Sequence, residues 1–312
     1  MRIITEGLQF PEGPIALEDG TFIVVEIRRQ TLTHIDAKGK QTVIAKLGGG
    51  PNGAAMGPDG YCYVVNNGGF KFVPRADGKF VTAGTPDDYV TGRVERVDIQ
   101  TGKAEVVYDK VGNQKIRGPN DIVFDAHGGF YFSDPGKVRH RDWDRGCVCY
   151  AKADGSMIKE LIFPITKPNG VGLSPDGSTL YVAETESGKL WAWELAGPGE
   201  LKSPAVASTT SPHGGKLISA VAAYRRFDSL AVEANGNICV GTLDSGGITV
   251  CSPNGGAGEF VPVPGDTHCT NIAFGGLDHK TAYVTQSYAG RLVEVPWPRP
   301  GLKLEGDEHG LD

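Results

Sequence analysis

Six oxygen-bearing side chains recur in similar local settings along the 312-residue sequence: Glu12 in Pro-Glu-Gly-Pro, Asn52 in Pro-Asn-Gly, Asn120 in Pro-Asn-Asp, Asn169 in Pro-Asn-Gly, Asp228 in Phe-Asp-Ser and Asn271 in Thr-Asn-Ile. Two carboxylates and four amides, with no Cys or His among them, form a hard-oxygen donor set. If they converge, such a set suits a divalent cation, calcium first, with ferrous iron, zinc and manganese as alternatives because selectivity depends on geometry and availability. Glu12 and Asp228 would balance the two charges, and two buried carboxylates without a cation would be costly. Asn and Asp also cap turns through their own backbone, which is the simpler account of any one of them, but Glu is a poor turn residue.

Convergence requires a repeat, and the sequence contains one. Seven residues after the six anchors stand Asp19, Asp59, His127, Asp176, Asn235 and Asp278, and eight residues after stand Gly20, Gly60, Gly128, Gly177, Gly236 and His279. Asp-Gly and Asn-Gly pairs supply the positive φ of a tight hairpin. Apolar, strand-prone segments flank them, such as Ile122-Val123-Phe124 and Phe130-Tyr131-Phe132 around the third. The anchors lie 40, 68, 49, 59 and 43 residues apart, near the period of a four-stranded blade with insertions. The expected fold is all-β: a six-bladed β-propeller with four-stranded antiparallel blades around a central channel. The first strand of each blade is nearest the axis, so the anchors would ring one mouth.

The same pattern predicts a single domain over 1–312, with insertions at about 66–91 and 197–226 and an extended or frayed tail at about 296–312. Arg2-Ile3-Ile4 is placed to join the blade containing Arg291-Leu292-Val293-Glu294-Val295 and close the ring. The 45 Gly and 20 Pro fit a turn-rich β-fold. A net charge of −6 offers no electrostatic footprint for nucleic acid or an anionic membrane, which leaves a small-molecule partner. Six cysteines without a CxxC spacing are expected as reduced thiols. The start lacks a signal-peptide pattern and no run approaches a membrane span, so a cytoplasmic monomer or small homo-oligomer is expected.

Phe10-Pro11-Glu12-Gly13-Pro14, Pro119-Asn120-Asp121, Pro168-Asn169-Gly170-Val171, Phe227-Asp228 and Thr270-Asn271-Ile272-Ala273-Phe274-Gly275-Gly276 together resemble the signature of the SMP-30/gluconolactonase family, whose relatives include the diisopropyl fluorophosphatases. The resemblance runs from Gly7 to about Val295. It implies a six-bladed propeller holding a divalent metal, commonly calcium, at the equivalents of Glu12, Asn169 and Asp228, with Asn120 either ligating the metal or touching substrate. It also implies a lactonase acting on a small lactone, sugar or other. The alternatives are an organophosphate hydrolase and a non-catalytic, calcium-stabilised propeller that binds a partner.

Within that reading Asp228 is the expected general base and Asn120 a second catalytic residue. Arg117, Asn120, Asn52, His268 and Asn271 are assigned to substrate, although a surface ion pair would explain Arg117 and ordinary hydrogen bonding would explain His268. Phe70, Phe72 and Tyr89 in the first insertion, and Tyr224, Arg225 and Arg226 at the end of the second, are candidates for walls or a lid over the site. Cys147-Val148-Cys149 alternates like an edge strand.

Overall fold

The computed structural model describes residues 1–222, 224–304, 306, 310 and 311. Among them all regular structure is strand, and it falls into six four-stranded antiparallel blades plus small accessory hairpins. Blade 1 comprises Pro11–Ala16, Phe22–Glu26, Thr31–Ile35 and Gln41–Lys46, and blade 2 comprises Pro51–Met56, Cys62–Asn66, Arg93–Val97 and Ala104–Tyr108. Blade 3 is Ile122–Phe124, Gly129–Asp134, Gly146–Lys152 and Ile158–Ile165; blade 4 is Pro168–Leu173, Thr179–Glu184, Lys189–Gly197 and Lys216–Ala220. Blade 5 is Arg226–Val232, Ile238–Leu243, Gly247–Cys251 and Glu259–Pro262. In blade 6 the strands Cys269–Gly275, Thr281–Gln286 and Arg291–Pro296 are completed by Arg2–Glu6 from the start of the chain. The innermost strands neighbour one another in chain order and the first packs against the last, so the ring is closed as a six-bladed β-propeller.

Each second strand is covered by blades on both faces, which explains the nearly unbroken apolar runs Phe22-Ile23-Val24-Val25 and Cys62-Tyr63-Val64-Val65. The core divides accordingly into clusters, one at each blade-to-blade interface. The residues eight after the anchors all take positive φ in the hairpins joining first and second strands; at the sixth the non-glycine His279 takes φ 52° and keeps the turn. These hairpins lie at one end of the channel, called here the lower end, and the anchors lie at the other.

The stretch 67–92 leaves blade 2 between its second and third strands and carries the small hairpin Phe72–Pro74/Phe80–Thr82. The stretch from Gly197 to Arg226 contains the fourth strand of blade 4, Lys216–Ala220, and ends in the innermost strand of blade 5. Cys147 and Cys149 correct the sequence-based expectation. Their strand is paired on both sides, so it is interior to blade 3; its alternation reflects packing between two strands and not an edge. All six cysteines are unpaired.

The tail is not frayed where it is described. Trp297 Nε1 and Arg299 Nε donate to the buried Glu233 carboxylate at 2.7 and 2.5 Å. Gly301 and Leu302 donate backbone N–H groups to His279 and Val232. Leu302 and Leu304 then line a channel cavity of about 90 Å³ whose walls include Ile15, Met56 and Phe124 and whose upper end includes Asp121 and Asn271. Apolar contacts and a charged anchor inside the fold hold this segment across the lower mouth. Residues 305, 307–309 and 312 of the expected tail lie outside the described residues.

Candidate active site

At the upper end the backbone departs from regular pairing. The register of the innermost strand slips between Glu12 and Ile15, Pro51 and Gly53, Pro168 and Val171, Phe227 and Leu230, and Cys269 and Asn271. Five of the six anchors therefore sit in or beside a β-bulge, a device that bends a strand and re-aims a side chain out of the pleat. The sixth, Asn120, precedes its strand and is fixed by its N–H to the Ser133 carbonyl at 2.9 Å. The glycine after an anchor allows adjacent blades to approach. A Cβ on Gly13 would lie 2.7 Å from Ala54 N, on Gly53 2.5 Å from the Asn120 carbonyl, and on Gly170 2.7 Å from the Asp228 carbonyl. The Glu-Gly and Asn-Gly pairs of the sequence thus serve ring packing as well as chain direction.

Glu12 is 3% exposed and its Oε2 accepts from Gly13 N and from Asn271 Nδ2, both at 3.0 Å. Burial nevertheless pushes its carboxyl up to about 7, hydrogen bonds from Thr270, Gly13 and Asn271 offsetting only part of that. Asp121, next to Asn120, is pushed up to about 8 by burial, with the Glu12 charge adding to the effect, although Val171 N donates to its Oδ2 at 3.0 Å. Asp228 is held well above the usual carboxylate range by burial and by the charges of Glu12 and Asp121, while Asn169 and Arg226 pull the other way. Asn169 donates Nδ2 to Thr185 Oγ1 at 3.0 Å and accepts at Oδ1 from Ser229 Oγ at 3.4 Å. The Asn120 Oδ1 atom is buried with no hydrogen-bond partner.

Three buried carboxylates, of which Glu12 raises the proton affinity of Asp121 and both raise that of Asp228, lie beside a carbonyl oxygen with no donor, an arrangement that a cation would relieve. Among the described residues no three His, Cys, Asp or Glu side chains converge tightly enough to hold a metal by themselves. A cation here would therefore need the amide oxygens, which are the hard donors that favour calcium-type ions over zinc. The residues present fit such an ion.

The sequence profile of the SMP-30/Gluconolactonase/LRE-like region matches residues 10–288, a span that includes every ring position. The chain belongs to this family. Lactonase drp35 of Staphylococcus saprophyticus is 25% identical over 270 residues, covering 85% of this chain and 73% of that protein. Gluconolactonase of Zymomonas mobilis is 27% identical over 227 residues, covering 64% of this chain and 56% of that protein. Diisopropyl-fluorophosphatase of Loligo vulgaris is 26% identical over 328 residues, 96% of this chain and 93% of its own. Among solved structures, a gluconolactonase from Xanthomonas campestris superimposes with a TM-score of 0.72 at 19% identity, covering 95% of this chain and 89% of that one. The calcium-binding regucalcin from Agrobacterium tumefaciens does so with a TM-score of 0.71 at 20% identity, covering 97% of each chain. At such identities the superpositions speak for the fold alone.

The other expected residues of this family member fall into two groups. Asn52 and Asn271 are buried in the ring, Asn271 as a donor to Glu12. Arg117 is half exposed and pairs through Nη1 with Asp144 Oδ1 at 2.9 Å, an oxygen it shares with Arg139. His268 is buried, stacks on Tyr288 with ring centroids 3.6 Å apart, and is lowered to about 4 by burial. It is therefore a neutral ring at the mouth near pH 7. Phe70, Phe72 and Tyr89 come to the same end on the 67–92 excursion, with the buried Lys137 ammonium 4.9 Å from both the Phe70 and Tyr89 rings. Arg226 pairs with Asp244 at 2.9 Å, Arg225 lies over Phe260, and Tyr224 is exposed. Sequence reasoning passed over Asp121, whose position beside Asn120 in Pro-Asn-Asp was its only signal. It also passed over Thr270, Ser287 and Ser229, hydroxyls that brace the ring and carry no motif of their own.

Proposed function

We propose that the chain is a metal-dependent lactonase that hydrolyses the ester bond of a small lactone, sugar or other γ/δ-lactone, to the hydroxy acid. The observation that carries this reading is the set of buried carboxylates Glu12, Asp121 and Asp228, each held above the usual carboxylate range, beside the unpartnered Asn120 oxygen. Its support from relatives is that two similar proteins are named lactonase and gluconolactonase. Glu12, Asn169, Asp228 and Asn120 would hold the ion, with calcium favoured by the donor set. When bound, the cation would polarise the ester carbonyl and stabilise the oxyanion.

The side chains supply the rest. Asp228 takes a proton from water as its oxygen bonds to the carbonyl carbon; the ring C–O bond then breaks and the leaving alkoxide recovers that proton. Asn169 keeps Asp228 in place from the neighbouring blade and is itself held by Ser229, the residue after Asp228. Asn271 holds Glu12, and Asn52 and Asn271 present ring edges to the bound lactone. His268, neutral and immobilised by its stack, contributes surface and a ring nitrogen instead of a charge.

A second reading is favoured by the match over 96% of this chain to a diisopropyl-fluorophosphatase. There Asp228 would attack phosphorus directly. The deciding experiment strips the protein of metal, restores each divalent ion in turn, and compares rates on a γ-lactone and on a fluorophosphate. Calcium-dependent lactone hydrolysis is expected. Turnover untouched by chelation would remove the metal, and a rate confined to the fluorophosphate would transfer the assignment to the second reading.

A further inference from the structure

The rim above the ring is divided into two unlike halves. Over Glu12 and Asn271 it is aromatic. Phe10, two residues before Glu12, lies with ring centroids 5.3 Å from Phe72 and 5.8 Å from Tyr288, and Tyr288 stacks on His268. Ser287, next to Tyr288, donates to the Pro11 carbonyl at 2.7 Å and ties this wall to the residue preceding Glu12. Over Asn120 and Asp228 the rim carries the ion pairs Arg117–Asp144, with Tyr89 donating its hydroxyl to the Arg117 carbonyl at 2.6 Å, and Arg226–Asp244, which borders His268 and Tyr288. The aromatic half is not closed into a core: Phe10, Phe72 and Tyr288 stay partly exposed. Phe10 also holds a left-handed φ of 58°, a strained choice for a bulky side chain that is retained beside the site.

From this division we infer that Phe10, Phe72 and Tyr288 form a subsite for an apolar substituent, and that the preferred substrate is a lactone bearing an alkyl or aryl group on its ring. The inference rests on the lactonase reading. The ester head lies over the carboxylate and amide ring, and the substituent lies along the aromatic wall, where burial of each methylene lowers the barrier together with the binding free energy. A polyhydroxylated lactone would leave hydroxyls against these rings without partners, which costs it affinity.

The test measures initial rates of the calcium-loaded protein by pH-stat titration on γ-butyrolactone, γ-lactones with progressively longer alkyl chains, and glucono-δ-lactone. The expected kcat/KM rises about fourfold per added methylene over the first few carbons. Phe72→Ala should lower kcat/KM about tenfold more on the long-chain lactone than on γ-butyrolactone, mainly through KM, and Phe72→Leu should recover most of that difference. A glucono-δ-lactone rate above every alkyl lactone, or a Phe72→Ala loss equal on all substrates, overturns the subsite while leaving the lactonase reading standing. Failure to hydrolyse any lactone overturns both.

Discussion

The two ends of the channel are made from the same six strands and differ in almost everything else. At the lower end the chain turns tightly through positive-φ positions, from Gly20 to His279, and the tail from Trp297 to Leu304 lies across an apolar cavity. At the upper end the strands bulge, the connections vary from three residues at 244–246 to the long excursion at 67–92, and three carboxylates are buried together. The hairpin geometry at the lower end admits little variation, so the repeat is preserved there. Freed from that constraint, the upper end accumulates strain and charge. One end of each strand specifies the fold and the other pays for function out of that stability.

The largest expected effect tests the chemical end. Asp228→Asn should keep the melting temperature near that of the parent and reduce kcat by ~10²- to 10⁴-fold, and a parental rate would remove Asp228 as the base. The opposite profile is expected below. Trp297→Ala removes a 4%-exposed side chain and the donor to Glu233, so chemical denaturation should show a loss of about 3–5 kcal/mol with kcat unchanged. If kcat fell with stability, the two ends would not be separable.

A smaller effect concerns pH. Glu12 and Asp121 titrate near 7 and 8 in the fold against ordinary values of 4.5 and 3.8, so between those limits the folded protein binds more protons than the unfolded chain. Their contribution is most favourable below about pH 4 and is lost as the pH rises toward 8. Metal-stripped protein should therefore melt several degrees lower at pH 8 than at pH 5.5, and saturating calcium should raise the melting temperature more at pH 8. A calcium effect that is the same at both pH values would mean that these carboxylates do not meet the ion. The smallest effect is expected at Arg117. Because its ion pair with Asp144 is half exposed, Arg117→Ala should cost less than ~1 kcal/mol, and a changed KM would show that it reaches substrate.

Much of this was legible in the chain. The phase of anchors and turn pairs predicted six blades, and Arg2-Ile3-Ile4 was correctly placed as the closing strand because a short β-prone start and a terminal blade lacking a partner leave few other pairings. The attachment of the tail was not legible: three prolines in it, Pro296, Pro298 and Pro300, suggest extension without revealing that Glu233 offers a buried carboxylate to bind it. Cys147 and Cys149 misled for a related reason: alternation reports which face a residue takes, not how many strands flank it.

The sequence by itself determined the number of blades, the phase of the ring and the oxygen chemistry of Glu12, Asn120, Asn169 and Asp228, since all of these follow from local turn preferences and residue types at a fixed spacing. Only the tertiary structure decided that Asp121 is the third buried carboxylate, that His268 is a neutral stacked ring, and that the rim is aromatic on one side and ion-paired on the other. Those properties depend on burial and on charges brought together from blades more than a hundred residues apart in the chain, as Glu12 and Asp228 are, and no local pattern records such distances.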